Sequence, residues 1–154
     1  MFNYKSLLIV VASLLLLPAF SEVKWKKYET ATFAVKEKNI EIVFDQKCLS
    51  GIQTFVPLKK GKYKVNAILQ GDRSVFFAIY SNRKWIYSPS YFLTKDAKNY
   101  SFEFSINIDG NHCVAILARK KTGVKAIVSN FSIEEILANK DGNKKSPIKV
   151  QLVK

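Results

Sequence analysis

Beyond residue 21 this chain is predicted to be all-β, a single-domain sandwich of two antiparallel sheets. Three observations predict it. Helical periodicity is nearly absent there, short segments alternating apolar and polar residues recur every ten or so positions, and turns rich in Gly, Asn, Asp and Lys separate them. The chain of 154 residues is long enough for one hydrophobic core and too short for two ordinary ones.

The first element is not a strand. Lys5 precedes the apolar run Ser6 to Phe20, which Pro18 breaks and which is shorter than the ~20 residues needed to span a bilayer; Ala19-Phe-Ser21 then offers small residues for a signal peptidase. Residues 1–21 are therefore expected to be a cleaved signal peptide, and the protein to be secreted or periplasmic. Residues 22–138 form the expected sandwich domain, and 139–154 a basic C-terminal linker with a final edge strand.

Strands are expected near 31–36, 39–45, 51–56, 61–69, 74–81, 84–88, 98–107, 112–119 and 124–136. In the fourth, Tyr63, Val65, Ala67 and Leu69 share one face, which should be the core face, while Lys64, Asn66 and Ile68 share the other. In the seventh, Tyr100, Phe102, Phe104, Ile106 and Ile108 alternate with Ser101, Glu103, Ser105 and Asn107, the pattern of a half-buried strand. Glycines mark the turns at Lys59-Lys-Gly61, Gln70-Gly-Asp72, Asp109-Gly-Asn111 and Lys121-Thr-Gly123. Residues 139–147 are polar throughout apart from Pro147 and read as a solvated linker. Ile148 to Lys154 alternates again and could add to a sheet edge or fray.

With 25 basic and 12 acidic residues the formal net charge is +13. The lysines are dispersed along the chain, which suits general attraction to anionic surfaces more than a shaped nucleic-acid groove, so no nucleic-acid partner is expected; solubility alone is the competing explanation. Cys48 and Cys113 are the only cysteines, and in an oxidising compartment they are expected to pair. Such a disulfide would close a loop of about 64 residues and contribute roughly 4 kcal/mol. With His112 the only histidine and no closely spaced cysteine pair, no metal site is expected.

A series of short motifs carries a resemblance. Ile52-Gln-Thr-Phe-Val-Pro-Leu-Lys-Lys-Gly61-Lys-Tyr63-Lys-Val-Asn-Ala67 is followed by Tyr87-Ser-Pro89-Ser-Tyr-Phe-Leu-Thr94, by Tyr100-Ser-Phe-Glu-Phe104 and by Ser129-Asn-Phe131-Ser-Ile133-Glu-Glu135. In this order, from Gly51 to Ile136, the chain resembles the jelly-roll carbohydrate-binding modules found beside secreted glycoside hydrolases, a galactose-binding-like superfamily of β-sandwiches. The resemblance implies a jelly-roll sandwich that binds sugars without catalysis. Where those modules carry an acidic pair before the closing strand, this chain has Ser129 and Asn130, so the structural calcium of many such modules would lack carboxylates here and no cofactor is expected.

A sugar platform needs planar rings on an exposed strand, because pyranose C–H groups stack on aromatic faces while amides and carboxylates bond the hydroxyls. Trp85 and Tyr87 lie two apart on one strand and should project from one face about 7 Å apart, a spacing suited to neighbouring sugar units. Tyr80, Phe76 and Tyr91 are close enough in sequence to widen the platform. Asn66 and Glu103 would be polar partners if their outward faces line it. The competing expectation is that Trp85 and Tyr87 fill a satellite core under the loop ending at Pro89.

Trp25 and Tyr28 sit among Lys24, Lys26 and Lys27, a pattern fitting either a membrane or polyanion contact or an anchor for the first strand. His112 reads as a turn or edge histidine. Asn99-Tyr-Ser101 and Asn130-Phe-Ser132 match the glycosylation sequon, a pattern common by chance. Nothing pairs two carboxylates for hydrolysis, and no nucleophile elbow or phosphate-cradling glycine loop is present, so no enzyme is expected. The function expected is binding of a carbohydrate, with an anionic one suited to the lysines. The alternative is an envelope or secreted scaffold that engages a protein or the membrane surface through sheet edges and basic patches.

Overall fold

A computed structural model describes residues 24–37, 39–45, 47–72, 74–119, 125–136 and 150–151. The expected signal peptide at 1–21 and the linker at 139–147 lie outside the described residues.

Among the described residues twelve strands form the fold: β1 (Lys26–Tyr28), β2 (Thr32–Lys36), β3 (Asn39–Val43), β4 (Ser50–Leu58), β5 (Gly61–Gly71), β6 (Ser74–Ser81), β7 (Lys84–Tyr87), β8 (Tyr91–Phe92), β9 (Lys98–Ile106), β10 (Gly110–Ala118), β11 (Lys125–Glu135) and β12 (Val150–Gln151). They make two antiparallel sheets. The first runs β1-β4-β10-β6-β7, with β8 also on β6; the second runs β2-β3-β11-β5-β9, with β12 on β11. All nine expected strands are present within a few residues of their predicted limits. Only β1 and β8 are additional, and both are too short to show a periodicity. The last segment does join a sheet, pairing Gln151 with Ser132 and Val150 with Ile133.

Alternation builds the core between the sheets. Tyr63, Val65, Ala67 and Leu69 of β5 face Ile52, Val56, Phe77, Ile79, Val114 and Ile116 of the opposite sheet, all of them buried. Full burial of a side chain such as Phe77 contributes roughly 2 to 3 kcal/mol. Phe104 and Ile106 of β9 are buried as expected, and Tyr100 and Phe102 pack on the core from the rim. Ile108 is exposed, because β9 ends at Ile106 and the turn into β10 carries it away.

Along β11 the inward set changes parity: Ala126 and Val128 are buried before Asn130, and Phe131 and Ile133 after it. A bulge between Ser129 and Ser132, with Asn130 in the left-handed region at φ 48°, inserts the extra residue that makes the switch. Phe131 then meets Trp25 edge-on at 5.0 Å, so Trp25 anchors the chain entering β1 to the core.

The expected disulfide is not formed. Both cysteines are free. Cys113 lies opposite Phe55 in the β4–β10 pairing, whereas Cys48 precedes Ser50 at the start of β4. Five strand residues, about 17 Å, separate the levels of Ser50 and Phe55 along β4, far beyond disulfide reach. Cys48 Sγ instead lies 3.2 Å from Thr30 Oγ1, and the Cys113 thiol donates to Gln53 Oε1 at 3.3 Å.

Candidate functional site

The outer face of the first sheet carries aromatic side chains in ordered rows. Registers place Phe55, Cys113, Tyr80 and Trp85 across one row, and Lys26, Gln53, Ala115, Ala78 and Tyr87 across the next. Tyr28, Gly51, Leu117 and Phe76 form a third. Successive rows are two residues, or about 7 Å, apart. Beyond the third row, β8 sets Phe92 opposite Ser74, which shares the outward parity of Phe76. The strip from Tyr80 to Phe92 is therefore about 20 Å long.

The β6–β7 hairpin fixes which residues project. Asn82 and Arg83 both take positive φ, 48° and 60°, the pairing of a two-residue turn that matches strand twist. Tyr80 is thereby set against Trp85 and Ala78 against Tyr87. At the far end of β7 the buried Ser88 hydroxyl accepts the Phe77 N–H at 2.9 Å and donates to Pro89 O at 2.7 Å, closing the strand against β6.

Trp85 is the hub of the face. Its ring stacks on Tyr87 at 6.1 Å and 14°, tilts against Tyr80 at 5.1 Å, and meets Tyr28 edge-on at 6.3 Å. Trp85, Tyr28 and Leu49 cover a small buried cluster of Phe76, Ala78, Ala115 and Leu117. Around this cluster the rings reach solvent: Phe55 is 54%, Tyr80 40%, Tyr87 49% and Phe92 80% exposed. Trp85 and Tyr87 thus belong to a satellite core with an open aromatic rim.

Polar groups are few. The strands of this sheet contain no aspartate or glutamate, whereas the second sheet carries Glu41, Glu103, Glu134 and Glu135 in its strands. The Arg119 guanidinium lies over the Phe76 ring at 5.4 Å. Burial, with Glu29 beside it, pushes the Tyr28 hydroxyl up. Burial likewise pushes the Cys113 thiol up to about 11. Among the described residues no cluster of three His, Cys, Asp or Glu side chains could hold a metal.

Of the residues expected from sequence, Trp85, Tyr87, Tyr80 and Phe76 come together here. Tyr91 does not, because its strand parity turns it inward: its ring contacts Phe77 at 5.7 Å and Tyr100 at 5.0 Å, and its hydroxyl donates to Ser101 O at 2.8 Å. Asn66 and Glu103 lie opposite Ser101 and Lys64 on the second sheet, whose outer face is the other side of the sandwich, so they cannot join the rings. Phe55, Gln53, Phe92 and Arg119 were missed, and Tyr28 was read only as a membrane or polyanion contact or a strand anchor. Alternation within β4 held the signal for the first two, since burial of Ile52, Thr54 and Val56 leaves Gln53 and Phe55 facing out.

Two open hollows lie elsewhere. One of about 400 Å³ adjoins Pro57, Tyr63 and Asn111. The other, about 430 Å³, adjoins Glu41, Asp72 and Lys125. Neither is lined by an exposed ring.

No protein-family model and no curated protein matches the chain. Solved structures do. A family 22 xylan-binding module from Paenibacillus barcinonensis is similar with a TM-score of 0.61 at 10% identity, over 74% of this chain and 86% of that one. A family 29 carbohydrate-binding module is similar at 0.58 and 6%, over 73% and 77%. The family 22 module within a Clostridium thermocellum xylanase, complexed with xylohexaose, is similar at 0.59 and 11%, over 82% of this chain and 29% of that longer one. At such identities the likeness is one of architecture: this chain has the jelly-roll β-sandwich fold of carbohydrate-binding modules.

Proposed function

We propose that this is an exported, non-catalytic protein that binds a carbohydrate chain on the outer face of its first sheet. The observation that carries the proposal is the strip of rings centred on Trp85, open to solvent at Phe55, Tyr80, Tyr87 and Phe92 on a face with few polar side chains. Flat rings at about 7 Å intervals present stacking surfaces to consecutive pyranoses, and the Tyr28, Tyr80 and Tyr87 hydroxyls with the Gln53 amide can bond sugar hydroxyls. The likeness to modules named as xylan-binding, or complexed with xylohexaose and cellulohexaose, supports the same reading. The scaffold alternative rested on buried rings and a long open edge at the C-terminus; the exposed rings and the pairing of β12 with β11 favour carbohydrate.

Affinity electrophoresis in xylan, β-glucan, pectin and chitosan gels tests the proposal. Retardation by at least one polymer, abolished in Trp85→Ala while the thermal transition is kept, is expected. Mobility in every gel indifferent to Trp85 overturns it.

A further inference from the structure

We propose that the glycan taken by this face is an acidic one, a polysaccharide bearing carboxylates; this rests on the carbohydrate reading of the same face. Charge is distributed unequally between the two sheets. Lysines occur in both, but every strand-borne carboxylate of the described residues lies in the second sheet and none in the first. Glu29, in the turn after β1, is the acid that adjoins the ring face, beside Tyr28.

A neutral sugar presents hydroxyls that both donate and accept, and a site for it gains from carboxylates as strong acceptors. Glu29 apart, the charged groups placed at the rings are donors. Arg119 lies over Phe76 in the lower part of the strip, Lys26 stands in the middle row across from Gln53, and Arg83 occupies the hairpin turn next to the Tyr80–Trp85 pair. Guanidinium and ammonium groups offer only N–H donors, and their charge-assisted hydrogen bonds to a carboxylate on a stacked sugar are about twice as strong as bonds to a neutral hydroxyl. Cations spread along the strip, with no strand carboxylate among them, suit a ligand whose charges recur along its length. An anionic membrane would also attract these cations, but rings set in rows about 7 Å apart match the repeat of a sugar chain rather than a lipid surface.

The test is isothermal titration of the purified protein with glucuronoxylan, polygalacturonate and alginate, each also after chemical reduction of its carboxylates to neutral hydroxymethyl groups. Tighter binding, by about tenfold or more, of at least one acidic polymer than of its reduced form is expected, the gap narrowing at high salt and in Arg119→Gln. Equal binding of both forms, lost in Trp85→Ala, overturns the acidic preference and leaves carbohydrate binding standing. No binding of any polymer in either form overturns both readings. Binding to phosphatidylglycerol vesicles in preference to every polymer assigns the face to membranes and also overturns the proposal.

Discussion

Trp85 and Tyr28 touch edge to face at 6.3 Å although they belong to β7 and β1, the two ends of a five-strand path. At about 4.8 Å per strand, their strands lie roughly 19 Å apart across the sheet, so both side chains lean toward its middle. They meet there because the residues between them are small: Gly51, Ala115 and Ala78 leave room above the strands for two rings. The contact is a bridge across the face.

A ligand that stacks on this bridge changes the surroundings of Trp85 and leaves Trp25 untouched against Phe131. In a Trp25→Phe background, binding is expected to shift and quench the remaining tryptophan emission, with a midpoint equal to the calorimetric one. The replacement itself should cost less than about 1 kcal/mol, since the Trp25 indole N–H is buried without a partner and its removal offsets part of the lost packing. Trp85→Ala should weaken binding at least about thirtyfold, as for an aromatic hot spot.

Phe92 stands at the far end of the strip and is almost fully solvated. Phe92→Ala is expected to leave stability within about 0.5 kcal/mol of the parent. Its effect on affinity should depend on ligand length. Oligosaccharides too short to extend the ~20 Å from Tyr80 should bind equally well to both proteins, and longer ones more weakly to the variant. Equal losses for short and long ligands would place Phe92 elsewhere in the binding mode.

Gly51 is required by the close approach of β10. A Cβ there would lie 2.0 Å from the Ile116 carbonyl oxygen, a backbone atom that cannot turn aside. Gly51→Ala should force β4 and β10 apart at the centre of the first sheet and cost more than about 3 kcal/mol in urea unfolding.

Cys113 gives a signed pH dependence. Burial raises its folded-state value to about 11 from an ordinary 9.0, so the unfolded chain loses the proton first. The stability this group contributes is complete below pH 9 and is lost as the pH climbs toward 11, and Cys113→Ala should remove that part of the decline. At pH 8 iodoacetamide is expected to modify Cys48 in the folded protein and Cys113 only after denaturation. Two thiols per chain should titrate in denaturant without reductant; zero would restore the disulfide.

Strand parity was legible because apolar and polar side chains alternate strictly in β9 and, Ile68 apart, in β5, and the core residues followed from it. Two things were not legible. Which outer face a residue joins depends on which sheet its strand enters, a long-range choice that separates Asn66 and Glu103 from Trp85 by the thickness of the sandwich. The Cys48–Cys113 pairing failed for a related reason: an even cysteine count carries no information about strand register, and register sets Cys113 about 17 Å along β4 from Ser50, the strand residue nearest Cys48. Within β11, Asn130 was assigned to a plain strand, although asparagine tolerates the left-handed backbone that a bulge requires.

Along β6 the odd positions Val75, Phe77 and Ile79 belong to the core between the sheets, and the even positions Phe76, Ala78 and Tyr80 to the ring face. Two interleaved texts therefore share one stretch of chain, one read by the fold and the other by whatever the face meets. Substitution can revise the even letters while the odd letters hold the architecture, as suits a fold shared with solved sandwiches only 6 to 11% identical in sequence.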